Sequence, residues 1–375
     1  MGSGSSSIPK DVHFVIIGGG YGGVQLARSF KNNGSKYTLI NEKEYLHHNV
    51  AAVRAAVVKG MAKKTLIPLK EVFGNNFKQG RVVGVETNNK TVKLESGEEI
   101  KYDVLIFATG SCGGFPNKLS NQDSPTAINL YEGVADKVEK AKSILVVGGG
   151  ASGTELACEI GTKFPKKEVI LLAARDKLIT DKTSDKFQSK LNSILARLNV
   201  KVIRGEKVIG LEDIDENGPG PFKITTDKGT EVEADVLLKC IGIRVNDQAY
   251  KDSLSESVDE RGQLKVNEFL QVEGQDDIYA LGDCTSYADK LAYAAAEQAN
   301  LLFSNLQRHY KNQKMTPWQP EKVIKVVAVV SLGPTSGLGQ LRNGMLLPEF
   351  AVKMLKSKDM MVPRYWKENG LAMPK

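Results

Sequence analysis

Largely apolar positions at Val12, Phe14, Val15, Ile16 and Ile17 lead into Gly18-x-Gly20-x-x-Gly23, and apolar periodicity resumes at Val24, Leu26, Ala27 and Phe30. That pattern predicts a buried strand, a glycine turn and a helix. In this context Gly18 permits the tight turn, Gly20 lets a pyrophosphate approach the backbone, and Gly23 lets the helix close on the strand. The free N–H groups at the helix start favour an anion there. The same order recurs in Ser143–Gly153, where Gly148, Gly150 and Gly153 follow an apolar run. Two such units predict two bound dinucleotides.

The remaining pattern fills in both units. Tyr37–Ile40 reads as the second strand. At its end, where an acid is expected to hold an adenosine ribose, stand Asn41 and Glu42. Residues 44–64 read as mostly helical. Within them Arg54 is a lone cation on the face of Val50, Val53 and Val57. It reads either as a surface residue with a buried stem or as a contact to cofactor phosphate or flavin. Residues 80–107 read as short strands, and the last of them runs into Ala108-Thr109-Gly110, a turn that closes a nucleotide domain beneath its cofactor. Residues 113–130 read as a Pro/Gly/Ser-rich crossing. In the second unit the strand Glu168–Leu172 ends in Ala173-Ala174-Arg175, without the acid that selects NADH, so NADPH is admitted too. Residues 200–234 alternate like a meander. Ile278–Asp283 is an apolar strand into Gly282-Asp283, whose carboxylate can accept hydrogen bonds from a ribityl chain, and an amphipathic helix follows from Ala292 to Leu306.

The fold expected is α/β: two Rossmann-like dinucleotide-binding domains and a small α+β C-terminal domain. Residues 1–9 form a flexible start, 10–125 and 246–312 the FAD domain, 126–245 the NAD(P)H domain, and 313–375 the C-terminal domain. The 375 residues are 41% hydrophobic and 25% charged, as in globular chains. No run reaches 18 apolar residues and no apolar secretory segment opens the chain, so neither a transmembrane helix nor a signal peptide is expected. The net charge of +7 favours anionic partners. Cys112, Cys158, Cys240 and Cys284 form no CxxC pair, so neither a redox dithiol nor a zinc site is indicated. His47 and His48 lack a third ligand nearby, so no metal is expected. The opening MGSGSSS fits both a flexible linker and N-myristoylation at Gly2. Segment 346–367 interleaves Phe350, Met354, Leu355, Met360, Met361 and Trp366 with Lys353, Lys356, Lys358, Arg364 and Lys367. It reads as a membrane-surface patch or as a small domain packing its own core.

Glycine motif, ATG strand, second glycine motif and GD strand, in that order, resemble the two-dinucleotide-binding-domain flavoproteins. Within them the chain is similar to the type II NADH dehydrogenase-like and apoptosis-inducing-factor relatives. The residues that carry the likeness are GGGYGG at 18–23, LHHNVAAVRA at 46–55, AKKT at 62–65, QGRVVG at 79–84, VEGQDDIYALGDC at 272–284 and KSKD at 356–359. The resemblance implies an FAD-dependent NAD(P)H:quinone oxidoreductase that reduces ubiquinone and vitamin K at membranes, giving radical-trapping quinols that protect against lipid peroxidation and ferroptosis. It implies an N-myristoyl Gly2, the cytoplasmic face of the plasma membrane and lipid droplets, and cytoplasmic, mitochondrial and nuclear pools. FAD contacts fall on Gly18, Gly19, Gly20, Tyr21, Gly22, Arg54, Val82 and Asp283. Gly23, Asn41, Glu42, Thr109, Gly110, Gly148, Gly150 and Gly153 complete the expected cofactor-binding set. Glu155 takes the place of the family's nicotinamide-site acid, though an acid there also suits a helix start. Lys356 and His48 are candidates for lining the quinone site. The alternative is a nucleic-acid-binding pro-apoptotic effector with the flavin as a redox switch, which steep salt dependence of binding would reveal.

Overall fold

The computed structural model describes residues 8–287 and 290–375, so Gly2 lies outside the described residues. Five parallel strands build the first sheet, in the order Ile278–Ala280, Val104–Phe107, His13–Ile17, Lys36–Asn41 and Phe77–Gln79. A parallel sheet is covered on both faces, and Phe14, Val15 and Ile16 are accordingly buried without exposure. On one side the helices Tyr21–Asn33 and Ala292–His309 pack together. There Phe30 stacks on Phe14 with ring centroids 4.4 Å apart. The antiparallel strands Val82–Glu86, Thr91–Leu94 and Glu99–Lys101 form a separate small sheet whose Val82, Val85, Val92 and Leu94 share a core with Val15 and Ile17.

The second parallel sheet runs Val200–Arg204, Glu168–Ala173, Ser143–Val147, Val236–Lys239. Val200–Arg204 thus belongs to this sheet and not to a meander; only Phe222–Thr225 and Glu231–Ala234 form a hairpin beside it. The chain leaves the first unit through Ser111–Cys112 and returns through Arg244–Val245, and these two short strands pair antiparallel. The C-terminal part is an antiparallel sheet, Val326–Ser331, Gly337–Leu341 and Leu346–Leu347, followed by the helix Glu349–Val352, a π-turn at Lys353–Ser357 and the helix Val362–Glu368. No helix of the described residues is long and apolar enough to cross a membrane.

Three expectations are corrected. Residues 44–64 are not one helix: Tyr45–His47 is a strand paired with Leu66–Pro68, and the helical pieces are short, Asn49–Ala51, Ala52–Ala55 and Ala62–Thr65. Helical spacing cannot show a strand whose partner lies outside the window. The crossing ends earlier than expected, because Asp123 caps a helix over Ser124–Lys140 by accepting from the Thr126 N–H at 2.8 Å. Met360 and Trp366, expected at the surface, are buried. The Trp366 indole N–H donates to the Lys64 carbonyl at 2.8 Å.

Candidate functional site

Each parallel sheet presents a glycine turn at the carboxyl end of its first strand, the crevice where such sheets take ligands. Gly18 has φ +115° and a side chain there would sit 2.2 Å from the Ala108 carbonyl; Gly148 has φ +126° with the Cys240 carbonyl 2.5 Å away. Gly23 and Gly153 let their helices close, since a Cβ would lie 1.8 and 1.9 Å from the carbonyls of Gly18 and Gly148. Gly20 and Gly150 differ. A Cβ on either meets nothing within 4 Å, so both face the open side of the turn where a diphosphate approaches. The two cradles fit the two dinucleotides expected, FAD at the first and NAD(P)H at the second.

Around the first cradle the expected residues have particular partners. Asn41 accepts from the Gly19 N–H at 2.8 Å and donates to the Lys43 carbonyl at 2.8 Å. Both ends of the amide are engaged, so Asn41 braces the turn, and Glu42 beside it is only half-buried. Thr109 donates to the Asn246 carbonyl at 2.8 Å and Asn246 donates back to the Thr109 carbonyl at 2.9 Å, which stitches the Thr109-Gly110 turn to the returning chain. Ser111 donates to Asp283 at 2.6 Å and orients that carboxylate. Val82 is buried at the start of its strand.

Glu155 is not a solvated helix-start charge. It sits on the second glycine helix, Ala151–Lys163, is buried, and accepts from the Ser331 N–H at 2.8 Å and from the Lys356 ammonium at 2.6 Å. Lys356 donates also to the Val329 carbonyl at 3.0 Å. The acid expected at the nicotinamide site and the lysine expected at the quinone site therefore form one ion pair.

Arg54 is not a surface residue with only its stem buried. It is buried, and its guanidinium grips both oxygens of Glu159 at 3.0 and 2.6 Å and donates to the carbonyls of Ser357 and Lys358 at 2.7 and 3.1 Å. A buried fork of this kind is strong, and losing either partner strands a charge at a cost of about 3–5 kcal/mol. Burial pushes the Glu159 carboxyl above its ordinary range, and the Arg54 guanidinium opposes that shift. Nothing in the sequence singled out Glu159. Its one signal is position, since it lies one helical turn beyond Glu155 on the same face.

His48 is fully enclosed and does not line an open cleft. Nε2 lies 2.7 Å from the Met360 carbonyl, which can only accept, so Nε2 carries the proton and Nδ1 accepts from the Tyr21 hydroxyl at 3.1 Å. The Val50 N–H in turn donates to Tyr21 at 3.2 Å. Burial pushes the His48 pKa down to about 4. Tyr21, within the first glycine motif, is thereby tied to Met360 and Met361, which both hold the left-handed conformation at φ 53° and 61°.

At the end of Glu168–Ala173 the exposed Arg175 pairs with Asp181 at 2.9 Å. On the C-terminal part, Phe350, Met354 and Leu355 are 68%, 76% and 60% exposed. The cations Lys353, Lys358, Arg364 and Lys367 are exposed in the same segment. The four cysteines are free thiols.

Residues 12–299 match the model of the family described as pyridine nucleotide-disulphide oxidoreductase. The chain is 37% identical over 370 residues to ferroptosis suppressor protein 1 of Mus musculus, covering 98% of each chain. It is 33% identical to apoptosis-inducing factor homolog B of Dictyostelium discoideum, with 94% of this chain and 95% of the relative covered. Among solved structures, the sulfide:quinone oxidoreductase of Aquifex aeolicus shares the fold, with a TM-score of 0.75 at 16% identity over 97% of this chain and 93% of that one. Two nucleotide cradles and whole-length likeness agree on an FAD- and NAD(P)H-dependent oxidoreductase, and the chain belongs to the pyridine nucleotide-disulphide oxidoreductase family, in the group of the ferroptosis suppressor proteins and apoptosis-inducing factor homologs.

Proposed function

We propose that this protein is an NAD(P)H:quinone oxidoreductase that works at a membrane surface and reduces ubiquinone- and vitamin K-type quinones to radical-trapping quinols. One observation carries the reading. Leu355, exposed, is followed directly by Lys356, which turns inward onto Glu155. An apolar rim thus stands one residue away from the ion pair of the nicotinamide-site acid. That arrangement suits an apolar acceptor drawn from lipid, and the absence of a CxxC pair argues against a disulfide substrate.

When bound, FAD supplies the two-electron step between nicotinamide and quinone. The chain supplies the rest. Backbone at Gly18–Gly20 and Gly148–Gly150 receives the diphosphates. Asp283, held by Ser111, would accept from the ribityl hydroxyls. Glu155 bounds the nicotinamide side, and Lys356 Nζ is the donor offered to a quinone oxygen. Phe350, Met354 and Leu355 enter the lipid boundary while the neighbouring cations meet anionic headgroups, each worth about 1 kcal/mol near the surface. An N-myristoyl Gly2 would add the second, marginal anchor that such binding needs. On this reading the protein works at the cytoplasmic face of the plasma membrane and on lipid droplets.

The test is optical. Under argon, NADH should bleach the visible flavin absorbance, and a ubiquinone analogue should restore it with one quinol formed per NADH. Persistence of the bleached spectrum with every quinone tried would sink the proposal. Binding to vesicles containing phosphatidylserine should exceed binding to neutral ones and fall when Phe350, Met354 and Leu355 are changed to Ser.

A further inference from the structure

Arg54 stands where the resemblance puts a cofactor contact, but its bonds lead to the C-terminal segment. The two carbonyls it holds belong to Ser357 and Lys358, the residues that directly follow Lys356. Its other grip is on Glu159, which shares a helix with Glu155. That helix therefore offers two carboxylates from adjacent turns. One receives the Lys356 ammonium, and the other holds the guanidinium that fixes the backbone after Lys356.

The segment so held keeps local backbone bonds, Lys358 N–H to the Lys353 carbonyl at 3.0 Å and Met360 N–H to the Lys356 carbonyl at 2.7 Å, but its form is unusual. Lys353–Ser357 is a π-turn without a side-chain cap, a wide form that recurs at functional sites. Met354 and Leu355 face outward, and the buried Ser357 hydroxyl has no hydrogen-bond partner among the described residues. Just beyond, Met360 and Met361 are both left-handed. A turn of this kind keeps one geometry only where its surroundings over-determine it, and the Arg54 guanidinium supplies two of the bonds that do so.

We propose that Arg54 and Glu159 are positioning residues, which set the backbone that seats the Lys356 ammonium on Glu155. The kinetic consequence rests on the quinone-reductase reading; the structural one does not.

The full chain tests it in two variants. Arg54→Met/Glu159→Leu removes both charges together, so none is stranded. Glu159→Gln keeps one acceptor for Arg54 and serves if the double variant does not fold. Acetylation of Lys356 by an amine-reactive ester, read by peptide mass spectrometry, should be at least about fivefold faster in the variants, with Lys353 as the unchanged control. Flavin content per chain should stay within about twofold of the parent, since the guanidinium makes its bonds away from the glycine cradle. Quinone kcat should fall by about tenfold or more, as expected for a misplaced donor. Combined with Lys356→Met, the variants should lower kcat no further than Lys356→Met alone, to within about threefold.

Unchanged labelling of Lys356 in a folded variant overturns the proposal. Multiplicative loss of kcat in the combination overturns it as well. Loss of flavin from the variants would make Arg54 a cofactor ligand and overturn it too. If the parent reduces no quinone, the functional reading fails, and the labelling rates still decide the positioning role.

Discussion

Glu155 and Lys356, 201 positions apart in the chain, meet at 2.6 Å in a buried ion pair. The pair joins the second glycine helix to the C-terminal segment. Lys356→Met should leave the Glu155 carboxylate with only the Ser331 N–H, lowering stability by about 3 kcal/mol. Quinone turnover should fall by about a hundredfold if Nζ donates to the acceptor, while Lys356→Arg should recover much of the stability. Urea unfolding and steady-state rates with a soluble quinone check both.

Gly20→Val should give a folded, colourless protein. Gly20 has φ −82°, open to any residue, and no atom lies within 4 Å of the added Cβ, so the chain tolerates the change. The branched side chain takes the space into which a diphosphate must come. The ratio of visible to ultraviolet absorbance should drop to that of flavin-free protein, and the melting temperature should fall only to that of the flavin-stripped parent.

NADH and NADPH should serve within about tenfold of each other, or roughly 1.4 kcal/mol. The strand Glu168–Ala173 ends without an acid, and Arg175 is exposed with Asp181 as its surface partner. Ala174→Glu should shift selectivity towards NADH by repelling a 2′-phosphate. The ratio of kcat/KM values for the two nucleotides reads this out, and a hundredfold preference for NADH in the parent would contradict it.

Acid should loosen the fold through His48. The unfolded chain takes up a proton near pH 6.5, whereas burial holds the folded imidazole at about 4. Stability from this group is complete above about pH 6.5 and is lost progressively down to about pH 4, a total of about 3 kcal/mol. Urea unfolding free energies at pH 7.5, 6 and 5 should fall less steeply for His48→Asn than for the parent.

How much of this was legible in the chain depended on how local the cause was. The glycine turns were, because tight turning and close helix approach are set by the residues of the motif, and Gly18 and Gly148 hold the positive φ that such turns need. The Ala108-Thr109-Gly110 and Gly282-Asp283 strands were legible for the same reason. The partners of Arg54 are not legible, because Glu159 lies 105 positions away and the carbonyl partners more than 300. His48 looked available because nothing in sequence shows Tyr21 and Met360 closing over it. Segment 346–367 carried one composition but two fates: Phe350, Met354 and Leu355 stay outside while Met360 and Trp366 go into the core.

The antiparallel pairing of Ser111–Cys112 with Arg244–Val245 means that the chain enters and leaves the second unit at one place. Such a module can be exchanged between relatives by joining two neighbouring points, without disturbing the order of the five-stranded sheet. The backbone would permit the graft freely; the side chains would not. A donor module lacking an acid at position 159 would leave the recipient's Arg54 facing no carboxylate, so transplanted nicotinamide units should be compatible only in pairs that keep both residues.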